Sequence, residues 1–159
     1  MADLLEIFER IARRAFQFSE APNVPAGSVH PFEQREIHAC LPQAVRNLFD
    51  DGYYSQATFE TYKYVDTEIQ RLSGESETGF KLMMKCFDEA HPLIQLTPLN
   101  TPSEVDEQHG YRFIFAGSVM AIRNPRGHEH SVVDTPDQCL DHLGLASMLL
   151  RRLEESGYK

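Results

Sequence analysis

Positive charge is scarce in this chain: 15 Lys and Arg face 24 Asp and Glu, a net charge of −9 over 159 residues. A protein that coats nucleic acid needs clustered cations for the phosphates, so that class is excluded as a whole-surface function, though one local basic site is not. Long apolar runs are also missing, and none approaches the roughly 20 residues that span a bilayer. Met1 to Leu5 carries Asp3 and lacks a basic start before a long apolar stretch. No secretory signal is therefore expected, and a cytoplasmic location is. The only cysteines are Cys40, Cys86 and Cys139, odd in number and without CxxC spacing. That pattern speaks against a disulfide framework and predicts buried, reduced thiols. Apolar residues almost never alternate with period two, and there is no internal repeat or low-complexity segment.

What is present is a globular balance, 42% hydrophobic and 25% charged, at the size of one domain with a core of its own. Apolar residues recur at helical spacing, which predicts an all-α bundle of five to six helices. The first helix is expected over residues 3–18, with Leu4, Phe8, Ile11, Ala15 and Phe18 on one stripe. A connector follows over 21–30, built on Pro22, Pro25 and Gly27. Residues 1–30 are thus expected to pack as a helix and connector on a domain of 31–159. Further helices are predicted over about 33–50, 53–72 and 78–89. Asp51-Gly52 is a stop between the first two of these, which makes them antiparallel neighbours. Thr101-Pro102 with Glu104, and Thr135-Pro136 with Gln138, predict capping boxes that open helices over 102–122 and 136–156. The second, third, fifth and sixth helices are expected to form the core.

Between the last two helices stands Arg123-Asn124-Pro125-Arg126-Gly127-His128-Glu129-His130. Two arginines, an amide, two histidines and an acid are concentrated there. Pro125 disfavours a helical Asn124, and a break at Pro125 would let Arg123 and His128 share a pocket although a straight helix holds them about 140° apart. A bare Arg-x4-His pair is expected by chance about 0.5 times in a chain of this composition, and about 0.01 times once Asn must follow the Arg. Imidazole suits proton transfer near neutrality, and a guanidinium can hold two phosphate oxygens.

Arg123-Asn124-x3-His128 resembles the Arg-polar-x3-His signature of the HEPN superfamily, helical-bundle domains many of which are metal-independent ribonucleases. More closely, the stretch from about 37 to 153 resembles the bacterial Ymh family. The likeness rests on Gly52-Tyr53-Tyr54, Gly79-Phe80-x-Leu82-Met83 and Gly117-x4-Ile122-Arg123-Asn124-Pro125-x-x-His128. It implies an endoribonuclease, a toxin or phage-defence effector, that needs no metal or other cofactor. In that scheme the RNA 2′-hydroxyl attacks, His128 transfers protons, Arg123 stabilises the phosphate and Asn124 orients it, with Arg126 and His130 as further substrate contacts. One histidine does not serve both sides of an in-line displacement, so a homodimer with a composite site is implied, and with it an RNA substrate and an antitoxin or defence partner. Some HEPN toxins carry Tyr two residues after the His; here that position is His130, which removes that route of regulation.

The same residues also fit a structural turn, with Arg123 capping a helix and His128 filling a polar corner. His128-x-His130 alone is a weak metal pair, because no further matched ligand accompanies it. His109 reads as a surface residue; Asp66 and Glu68 are candidates to point at the cleft, although most such charges form a solvated face. The Tyr53, Tyr54, Tyr62 and Tyr64 cluster reads as core and interface. A catalytically silent module for oligomerisation or docking is the alternative function.

Overall fold

The computed structural model describes residues 29–129 and 131–158. The chain divides between His30 and Pro31, and the account below concerns the second unit. The helix expected over 3–18, most of the connector, and His130 lie outside the described residues. Among the described residues every regular element is helical.

The short α1, Pro31–Gln34, and α2, Gln43–Asp50, occupy the stretch where one helix was expected over 33–50. The chain leaves helical geometry between them and returns after Pro42, which tolerates only the start of a helix. The long α3, Tyr54–Ser73, and the short α4, Gly79–Cys86, follow. α5 spans Pro102–Ser118 and α7 spans Pro136–Glu155; both open with the expected capping boxes, Thr101 with Glu104 and Thr135 with Gln138.

Between α5 and α7 the expectation of a break at Pro125 is not met. α5 runs into a π-helical turn, Val119–Arg123, and then into α6, Asn124–His128. Proline lacks an N–H and its ring crowds the preceding turn, so an unmodified helix here would be strained. The π turn widens that spacing by one residue, and the Asn124 N–H reaches back to the Val119 carbonyl. Pro125 then sits in the first turn of α6, where its missing donor costs least.

Tyr62, Val65 and Ile69 of α3 pack with Leu82, Met83 and Cys86 of α4, with Phe115 and Val119, and with Leu149 and Leu153 of α7. Phe87 and Phe115 stack at 4.2 Å. A smaller cluster joins Phe32, Val45 and Phe49 to Ala57, Cys139 and Leu143. The short α4 therefore lies in the main core, where α2 was expected; α2 packs on the outer ends of α3 and α7.

Gln108, wholly buried in α5, holds the irregular stretch after α4 in place. Its amide donates to the carbonyls of Phe87 and Ile94 and accepts from the Leu96 N–H, so its polar atoms are paired inside the core.

Candidate active site

The π turn and α6 pack against α3, and three groups of contacts organise this region. The first is Asp66, which is only 4% exposed. Its carboxylate accepts the Gly79 N–H at 2.9 and 3.1 Å, tying the start of α4 to α3. Gly79 has φ +66°, a backbone region costly for other residues, which explains a glycine at this point in the chain. Burial raises the Asp66 carboxyl above its ordinary value, while the Gly79 hydrogen bond and the charge of Arg123 pull it back down. Asp66 is thus buried where α4 starts against α3 and is not part of a solvated face.

The second is Phe59. The Arg123 guanidinium lies 5.7 Å from the ring centroid, and one turn further on a Cβ added at Gly127 would sit 2.8 Å from the same ring. Gly127 is therefore a close approach between helices. Arg123 Nη1 donates to Asn124 Oδ1 at 3.3 Å, and its Nε is buried with no hydrogen-bond partner among the described residues.

The third is Arg126, which forms a two-pronged ion pair with Asp134. Their side chains are 8% and 3% exposed. Thr58 Oγ1 donates to the same carboxylate at 2.9 Å, and Arg126 Nη1 donates to the Ile122 carbonyl at 2.7 Å. Burial alone would raise the Asp134 carboxyl, but hydrogen bonds from Arg126 and Thr58 and the charges of Arg126 and His142 hold it below the usual carboxylate range. His142 lies beside the pair, its imidazole 3.8 Å from Asp134, and burial with the Arg126 charge pushes its pKa down. Burial in the same corner pushes the Cys139 thiol up to about 11.

Of the residues singled out in the sequence, the structure places Arg123 and Asn124 together, half-buried and hydrogen-bonded. Arg126 stands apart with its charge committed to Asp134, a structural contact that pins the chain after α6. His128 is exposed at the end of α6. The break expected at Pro125 is absent, and ideal helical spacing would set His128 about 140° from Arg123. His130 is outside the described residues. Sequence reasoning missed Phe59, Thr58, Asp134 and His142; their apolar or capping contexts carried no motif. Among the described residues no cluster of His, Cys, Asp and Glu is arranged to hold a metal ion. His109, read as a surface residue, is exposed and pairs with Glu89 at 3.0 Å.

A groove of about 520 Å³ runs beside Arg126 between Gly52, Tyr53 and Gln56 on one side and Glu129, Val132 and Val133 on the other. Phe113, Ile114, Gly117, Met120 and Ala121 are exposed along α5 and the π turn, a stripe that leads in sequence to Arg123 and Asn124. No described helix is long and apolar enough to cross a membrane.

Comparison with curated proteins and with solved structures gives no match. Residues 35–153 match a family described as "Protein of unknown function (Hypoth_ymh)", and the chain belongs to this Hypoth_Ymh family.

Proposed function

We propose that the domain is a HEPN-type, metal-independent endoribonuclease acting as a homodimer, an effector of the toxin or phage-defence kind. Arg123 carries the reading. Its guanidinium is held by Phe59 and Asn124, yet keeps a buried Nε–H with no acceptor. An unpaired buried donor is costly, and an incoming phosphate oxygen would relieve it. A cation fixed in this way needs no rearrangement as charge builds on a crowded phosphate, which is how preorganised groups lower a barrier.

RNA supplies its own nucleophile. Cleavage then needs a base for the 2′-hydroxyl proton, an acid for the departing 5′-oxygen and positive charge on the phosphate. His128, exposed at the end of α6, has the chemistry for the proton transfers. Because one histidine does not serve both sides of the displacement, and helical spacing sets His128 about 140° from its own Arg123, the arrangement that serves this chemistry brings two Arg123/His128 pairs across one cleft. The apolar stripe from Phe113 to Ala121 adjoins the site and gives a second copy a surface to bury.

Incubation of the purified protein with total RNA in EDTA tests the reading, with His128→Ala alongside. Metal-independent cleavage that the variant loses is the expected result. The alternative, a catalytically silent oligomerisation or docking module, draws on the same exposed stripe. It predicts no cleavage and no harm to the expressing cell, whereas the ribonuclease should be toxic.

A further inference from the structure

Away from the site just described, three side chains form a relay on the far side of α7. Cys40, between α1 and α2, is exposed, unlike the buried Cys86 and Cys139, and it departs from the expectation that all three thiols are buried. Its Sγ lies 2.8 Å from His38 Nδ1, and its own backbone N–H points to the same nitrogen at 3.3 Å. His38 Nε2 lies 3.1 Å from Glu154 Oε2, near the C-terminal end of α7. Two donors converge on Nδ1, so that nitrogen is the bare acceptor and the imidazole proton sits on Nε2, facing the carboxylate. The His38 N–H is itself held by Ser147 Oγ at 2.9 Å, which fixes the base of the residue. A thiol, an imidazole and a carboxylate in this order form the nucleophile, base and orienting group of covalent catalysis.

A cleft of about 80 Å³ opens beside the thiol, lined by Cys40, Tyr64, Glu68, Arg71, Leu150 and Glu154 among others. A cleft of this size admits a small molecule and no polymer. Glu68 and Glu154 face it, and Arg71 is already paired with Glu68 at 2.9 Å, so anions are repelled. Tyr64 lines the same cleft, and burial raises its hydroxyl so that it stays a donor. Burial and the two glutamates also push the Cys40 thiol up, so the resting group is the thiol and reaction needs the base beside it.

We infer that Cys40, His38 and Glu154 form a reactive-thiol site that reduces a small uncharged hydroperoxide. The thiol proton passes to His38 Nδ1, and the sulfur electron pair attacks one peroxide oxygen. An S–O bond forms as the O–O bond breaks. The departing oxygen takes the proton from the imidazolium and leaves as water, or as the alcohol from an alkyl hydroperoxide. Sulfur is oxidised by two electrons to the sulfenic acid and the peroxide is reduced by two. Glu154 stabilises the transient imidazolium, and the Tyr64 hydroxyl faces the developing charge. Cys86 and Cys139 are buried, so among the described residues the sulfenic acid meets no resolving thiol.

The test treats the reduced full-length protein with hydrogen peroxide, traps sulfenic acid with dimedone and locates the adduct by mass spectrometry. The adduct is expected on Cys40 and not on Cys86 or Cys139. His38→Ala should slow its formation on the order of 10²-fold, the scale of lost proton transfer. Glu154→Gln alters an exposed residue that the fold does not need, and should slow it several-fold without changing the circular dichroism. Iodoacetamide should label Cys40 faster than the anionic iodoacetate by more than it does free cysteine. Adduct spread over all three thiols, or a Cys40 rate unmoved by both substitutions, overturns the proposal.

Discussion

The guanidinium of Arg126 meets the carboxylate of Asp134 where both side chains are almost wholly buried, closing the segment between α6 and α7 onto α3. Thr58 from α3 and His142 from α7 complete the corner. Removing one partner strands the other charge inside the protein, a loss of about 3–5 kcal/mol for pairs of this kind. Asp134→Ala and Arg126→Ala should therefore each lower unfolding free energy on that scale in urea titration. The double variant should lose less than the sum of the two. Near-neutral single variants would show that the ion pair is not what holds the segment.

The same corner predicts acid lability in two stages. His142 has a lowered folded pKa, so the unfolded chain takes up a proton first as pH falls through about 6.5. Stability from its neutral form is present above that pH and is lost below it. Asp134 is also held below its ordinary value, so its contribution lasts into the carboxylate range and disappears as pH falls through its folded pKa. Asp66 runs the opposite way, since its raised carboxyl gains protons earlier in the fold than out of it. Thermal midpoints measured across pH 3 to 8 should show the first decline begin near neutrality. That decline should vanish in His142→Gln while the second remains.

Gly127 gives a way to disturb the site without touching a charged residue. A methyl group there would meet the Phe59 ring at 2.8 Å, and the ring must move. Arg123 rests on that ring from the preceding turn, so it loses its seat. Overpacking of this kind costs about 1–3 kcal/mol. Gly127→Ala should thus stay folded by circular dichroism while RNA cleavage falls by about 10-fold or more; full activity would show that Phe59 does not position Arg123.

Met120, 52% exposed, and Phe113, 50% exposed, sit on the stripe that leads to Arg123. If a second copy covers that stripe, a charge on it should split the pair. Met120→Glu should give monomer in light scattering at micromolar concentration, with unchanged helicity and no cleavage. A variant that stays dimeric would place the interface on another face.

The helix starts were plain in the sequence because each capping box is local: Thr101 with Glu104, and Thr135 with Gln138, are three residues apart and satisfy each other. Pro125 misled for the opposite reason. Its effect on the helix was settled by a turn five residues wide upstream, and no residue in that turn signals π geometry. Asp66 looked like one charge among many on a helix surface; its burial is decided by Gly79, thirteen residues later. The Asp134 corner was likewise invisible, since Thr58, Arg126, Asp134 and His142 come together only when three helices pack. Arg123 and Asn124 were legible as neighbours in sequence and remain so in space. The expectation that His128 joins them rested on a break that did not form.

The proposed mechanism makes the sharpest demand. If His128 exchanges protons and Arg123 stabilises the phosphorane, His128→Ala and Arg123→Ala should each lose on the order of 10²-fold or more in cleavage rate. Asn124→Ala should lose less, because it steadies Arg123 and the phosphate without carrying charge or proton. His130→Ala should be mildest, and EDTA should change none of these rates, which separates the scheme from a His128/His130 metal pair. The products should end in 2′,3′-cyclic phosphate and 5′-hydroxyl, since the nucleophile is the neighbouring 2′-oxygen. Fragments carrying a 5′-phosphate would make water the nucleophile and remove His128 from the role assigned to it.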